Sequence, residues 1–165
     1  MKKETIFESI QMGTMENKNQ IEIKEGKVYI NEIFFDAFVE KEKHKSNNKF
    51  LRIKNCVFLE MLFNASISLE NSNLTLSPTY TDCPNFMTER GDYDAYSATE
   101  YLFPIVLERL RALLGKEVSF EKHGNDDEFG SYTFKNGDLI AKCIGLNEGR
   151  GFNILIRSEG TAQNG

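Results

Sequence analysis

The chain has 165 residues, carries 20 Lys and Arg against 25 Asp and Glu for a formal charge of −5, and contains three cysteines and no tryptophan. That length suits one domain able to bury a core without disulfides, and the surplus of carboxylates disfavours nucleic acid, whose phosphates call for a surplus of Lys and Arg. Cys56, Cys83 and Cys143 are odd in number and outside any Cys-x-x-Cys pattern, so they read as reduced thiols and supply neither a disulfide framework nor a zinc site.

No segment approaches the roughly eighteen consecutive apolar residues of a membrane span, and the N-terminal residues, basic at Lys2 and Lys3, lack the apolar run of a signal peptide. These features lead to the expectation of a cytoplasmic protein of bacterial type with no membrane association. The sequons at Asn64 and Asn73 then carry no meaning, because glycosylation requires export.

Thr5–Met12 fits a helical turn or an N-terminal strand equally well. Ile21 and Ile23 alternate with polar neighbours, and Glu25-Gly26 separates them from Lys27–Ile30, which predicts a β-hairpin. Over 31–43, a helix capped by Asn31 and burying Ile33, Phe34, Ala37 and Phe38 is slightly preferred to a strand burying Ile33, Phe35, Ala37 and Val39. Lys41, Lys43, His44, Lys45 and Lys49 read as a solvated loop in preference to an anion patch, since Glu40 and Glu42 interrupt them. From Phe50 to Leu76 the repeated alternation predicts successive strands.

Residues 77–96 have neither helical nor strand period and are broken by Pro78, Pro84 and Gly91. A connection of about twenty residues is long for a compact domain and points to a functional segment. It lies in the most acidic part of the chain: between 56 and 100 the sole basic residue is Arg90, against Glu60, Glu70, Asp82, Glu89, Asp92, Asp94 and Glu100.

Ser97–Gly115 predicts the principal helix. Ser97 and Glu100 form a capping-box pattern, Gly115 suits the position after the C-cap, and Leu102, Phe103, Val106, Leu107, Leu110, Leu113 and Leu114 form a broad apolar stripe. Pro104 would cost about 3 kcal/mol inside it. Burial of each large apolar side chain contributes roughly 1.5–3 kcal/mol, so a helix kinked at Pro104 and packed on a sheet is expected.

Beyond it, Val118 and Phe120, Ser131–Phe134, Leu139–Ile144 and Phe152–Ile156 predict strands, with Asn136-Gly137 as a two-residue type I′ turn. The expected fold is α+β: a largely antiparallel sheet with one amphipathic helix (about 97–115) on a face, in a single domain over 1–157 with a flexible tail over 158–165.

No motif fixes a chemistry. His44 and His123 lie near no cysteine in sequence, and a Cys83–His123 nucleophile pair has no specific support. Gly124–Glu128 clusters carboxylates without calcium-loop spacing, Gly149-x-Gly151 lacks the full glycine pattern of a phosphate loop, and Arg90-Gly91-Asp92 is an adhesion tripeptide only by coincidence. No catalytic residue, metal ligand or cofactor is assigned.

What survives is a partner-binding constellation in the long segment: Tyr80, Asp82, Phe86, Glu89, Asp92, Tyr93, Asp94 and Tyr96. Aromatic anchors among carboxylates suit docking on a basic protein surface; core aromatics beneath an ordinary loop are the alternative origin of the same pattern. The expected function is a non-enzymatic inhibitory protein, such as an immunity protein for a basic nuclease-type toxin. A small enzyme or small-molecule binder with a pocket between 77–96 and the sheet is the second reading.

Overall fold

The computed structural model describes residues 18–45, 47–79, 95–123, 126–146 and 151–158. They form a mixed ten-stranded sheet with two helices, mainly β within the α+β class. The strands are β1 (Asn19–Lys24), β2 (Lys27–Ile30), β3 (Ile33–Phe34), β4 (Phe50–Phe58), β5 (Met61–Ser68), β6 (Asn73–Pro78), β7 (Ser119–His123), β8 (Asp126–Asn136), β9 (Leu139–Gly145) and β10 (Phe152–Ser158). The helices are α1 (Phe35–Lys45) and α2 (Ala95–Leu114).

Strand order is β3-β2-β1-β4-β5-β6-β10-β9-β8-β7. The sheet is mixed because β1 pairs in parallel with β4, Asn19 opposite Cys56 and Gln20 opposite Val57. Just before that pairing the β4–β5 register slips between Ile53 and Cys56, with Asn55 at a φ of 57°. A bulge of this kind bends a strand, and past the bend β4 takes β1 as its second neighbour.

Alternation sets the core. Ala65, Leu76, Ile154 and Cys143 stand opposite one another across β5, β6, β10 and β9, and Ile67, Leu74, Ile156 and Ala141 form the adjoining row. All eight are buried. Their neighbours on the other face, such as Ser66, Thr75, Leu155, Lys142 and Thr133, are partly exposed, so one face of the sheet is packed and the other is wet.

Helix α2 lies on the packed face. Leu102, Phe103, Val106, Leu107, Leu110 and Leu114 are buried, and Phe103 meets Phe152 edge-on with ring centroids 5.6 Å apart and Tyr132 at 5.8 Å. Leu113, expected on the stripe, is instead 39 % exposed. The helix begins at Ala95, so Ser97 stands inside its first turn and is not the N-cap. The helix continues through Pro104, which lies on its exposed side and lacks the amide that would bond one turn back. Gly115 closes it at a φ of 92°, donating its N–H to the Arg111 carbonyl at 2.9 Å, the single-bond left-handed cap.

Beyond the cap Arg111 holds Glu117 in a two-pronged pair, Nε to Oε1 at 3.0 Å and Nη2 to Oε2 at 2.7 Å. The donated hydrogen bonds hold the Glu117 carboxyl below the usual carboxylate range. The pair is partly exposed, and such pairs add about 1 kcal/mol at most.

Residues 31–45 divide where one helix or one strand was expected. Asn31 and Glu32, at φ values of 49° and 68°, are the central residues of a turn between β2 and β3. Asn31 therefore caps no helix. Its side chain accepts from the Gln20 amide at 2.8 Å and donates to Asn19 Oδ1 at 2.9 Å. Ile33 and Phe34 form the short edge strand and are 41 % and 37 % exposed, while α1 buries Phe35 and Val39 and leaves Ala37 exposed. Of the lysines expected in a loop, Lys41, Lys43 and Lys45 continue α1, and Lys49 lies in the connection to β4. Lys43, His44 and Lys45 occupy the last turn of α1, where positive charge complements the helix dipole.

The β8–β9 hairpin falls where expected but one residue along. Asn136 pairs with Leu139, so Gly137 and Asp138 are the central pair. Positive φ occurs at Gly137 and not at Asp138, as in a type II′ turn and unlike type I′.

Candidate functional site

The anticipated partner-binding residues can be placed only by their flanks. Tyr80, Asp82, Phe86, Glu89, Asp92, Tyr93 and Asp94 lie outside the described residues, as do Cys83 and the pocket expected between 77–96 and the sheet. Tyr96 falls in the first turn of α2, and its side chain is likewise outside the description. Both ends of the segment are fixed. Thr79 donates its amide and its hydroxyl to the Leu62 carbonyl, at 3.2 and 3.3 Å, tying the exit of β6 to β5. On the other side, Ala98 and Thr99 in the opening turns of α2 are fully buried. The acidic stretch is thus strung between an anchored strand and an anchored helix.

A cleft of about 330 Å³ opens at the other end of β6. Three reversals of the chain meet there. Glu25 and Gly26, at φ values of 52° and 74°, form the turn between β1 and β2, Ser72 at 54° lies in the turn before β6, and Gly137 at 61° starts the β8–β9 turn. Contact between two of these turns closes the cleft: a Cβ on Gly26 would lie 2.9 Å from the Asn136 carbonyl oxygen, closer than a real Cβ approaches. Glycine at 26 therefore lets the β1–β2 turn rest against the β8–β9 turn. Strand β2 stands second in the sheet and β8 ninth, so this contact brings two distant parts of the sheet together over the packed face.

The floor of the cleft is apolar, made by Val28, Phe35, Leu74, Leu139 and Ile156, all buried. Alternation along β2, β6, β9 and β10 turns these strand side chains to the core face. Glu25, Asp36 and Asp138 stand exposed around the mouth with Lys27. Lys27 Nζ lies 5.6 Å from the centroid of the Phe34 ring at the lip, a cation–π contact. Nothing in the sequence marks this cleft as a unit, because its walls come from five separate stretches joined by a turn-to-turn contact.

Nucleophile chemistry finds no support at the described thiols. Cys56 and Cys143 are unpaired by disulfide and fully buried; burial raises the Cys56 thiol to about 11 and pushes Cys143 higher still. Both stay protonated near neutrality and act as small apolar core residues. Among the described residues no group of three His, Cys, Asp or Glu side chains is placed to hold a metal ion, and no helix is long and apolar enough to cross a membrane. Compared with known proteins, the chain matches no family model, no curated protein and no solved structure.

Proposed function

We propose that this chain is a non-enzymatic binding protein that inhibits or shields a basic protein partner through the acidic, aromatic surface of residues 80–96. The observation that carries the reading is the anchoring of that stretch at both ends, by Thr79 on β5 and by the buried start of α2. Anchored ends lower the conformational entropy lost when a long segment docks. Between them Asp82, Glu89, Asp92 and Asp94 supply a negative field that speeds encounter with a basic surface, and Tyr80, Phe86, Tyr93 and Tyr96 supply the apolar area that holds it. Within this class we favour an immunity protein for a nuclease-type toxin, since a negative surface of this kind would also block a groove built for nucleic acid.

The test is affinity capture on the immobilised full chain from cells of its native host, followed by mass spectrometry. A protein rich in Lys and Arg, retained at low ionic strength and released as salt is raised, is the expected result. Retention of acidic proteins only, by contacts insensitive to salt, would count against the proposal.

A further inference from the structure

We infer that the cleft between the β1–β2 and β8–β9 turns is a binding site for a small organic cation with an apolar body, an arylalkyl- or alkylammonium of about one ring in size. This inference is independent of the protein-docking role of residues 80–96, which leave the sheet from the opposite end of β6.

Size and floor define the apolar part of the ligand. At about 330 Å³ the cleft is at the small end of ligand pockets. Val28, Phe35 and Leu139, which keep a little exposed surface there, offer a body seated on them apolar contact and no hydrogen-bond acceptor from their side chains. A polar or highly hydrated ligand would lose its water shell against that floor without replacement.

The mouth defines the charge. Three carboxylates, Glu25, Asp36 and Asp138, surround it, and none takes part in the ion pairs formed among the described residues. Two basic residues, Lys27 and Arg157, also line the cleft, so the carboxylates stand in excess by one charge. Lys27 places its ammonium over the Phe34 ring. Arg157 alternates with the buried Ile156 and stands opposite Asn73 and Ile140, which puts it on the wet face of the sheet. An anionic headgroup would therefore meet a mouth with carboxylates in excess, while an ammonium meets that excess with favourable sign. The Phe34 ring at the lip already faces the Lys27 ammonium, so the partners left for a ligand ammonium are the rim carboxylates. The cleft thus combines an apolar seat with an excess of carboxylates at the rim, a set suited to an amphipathic ammonium.

The experiment is a two-dimensional amide NMR titration of the full chain with three probes of matched size: benzylammonium, phenylacetate and benzyl alcohol. Benzylammonium should give saturable shifts at Gly26, Val28, Asp36, Gly137 and Leu139, with phenylacetate weaker by about tenfold or more. Replacing two of the three exposed rim carboxylates, Asp36→Asn with Asp138→Asn, should bring benzylammonium close to benzyl alcohol in affinity while the rest of the spectrum is preserved. Phenylacetate binding as tightly as benzylammonium, shifts falling outside these residues, or no saturable shift with benzylammonium would overturn the inference. The wild-type titration decides these outcomes even if the double variant folds poorly.

Discussion

The two ends of β6 carry opposite kinds of sequence. At its start, around Ser72 and Leu74, the cleft is shaped by backbone geometry: three reversals with positive φ, one turn seated on another, and a floor of buried apolar side chains. At its end, after Thr79, the chain departs into a stretch dense in carboxylates and aromatics before α2 returns it to the core. The contrast separates two constraints. Residues at the cleft end are held to particular types by sterics, whereas the charges of 80–94 are proposed to answer to a partner and to be dispensable for folding.

Breaking what both ends share should have the largest effect. Leu110 is fully buried at the interface of α2 with the sheet, and Leu110→Ala should cost about 2–5 kcal/mol in denaturant unfolding through the cavity it opens. A loss below about 1 kcal/mol would mean that the cavity collapses at little cost and that α2 is not a principal support.

The cleft end should be the next most sensitive. Gly26→Ala combines a left-handed φ with a collision against the Asn136 carbonyl, and should cost about 1–3 kcal/mol in the same measurement. Its amide NMR shifts should spread to the β8–β9 turn. Shifts confined to β1 and β2 would show that the two turns do not depend on each other.

The sequence discloses these ends unequally. Helix α2 is legible because its apolar residues recur at three- and four-residue spacing, yet its start is not, since Ser97 and Glu100 suit a capping box as well as they suit a first turn. Asn136-Gly137 announces a hairpin, but cross-strand pairing of Asn136 with Leu139 decides that Gly137 comes first in the turn. The Asn31-Glu32 reversal has no glycine or proline to signal it, so the two-residue strand and late helix start were hidden in one ambiguous run.

The parallel β1–β4 pairing is illegible for a different reason. It follows from a bulge at Asn55 and is not written in either strand's own pattern. The cleft likewise depends on Gly26 meeting Asn136, a contact between residues far apart in the chain. The acidic segment is conspicuous by composition alone, and its side-chain geometry lies outside the described residues.

The smallest expected effect on folding belongs to that segment, and it gives the most direct test. The double variant Asp92→Lys with Asp94→Lys should leave the melting temperature nearly unchanged. Its affinity for the basic protein captured by the wild-type chain should fall, together with the salt dependence of binding. A variant that melts like the wild type and binds that protein as tightly, with the same response to salt, would contradict an acidic docking surface at residues 80–96.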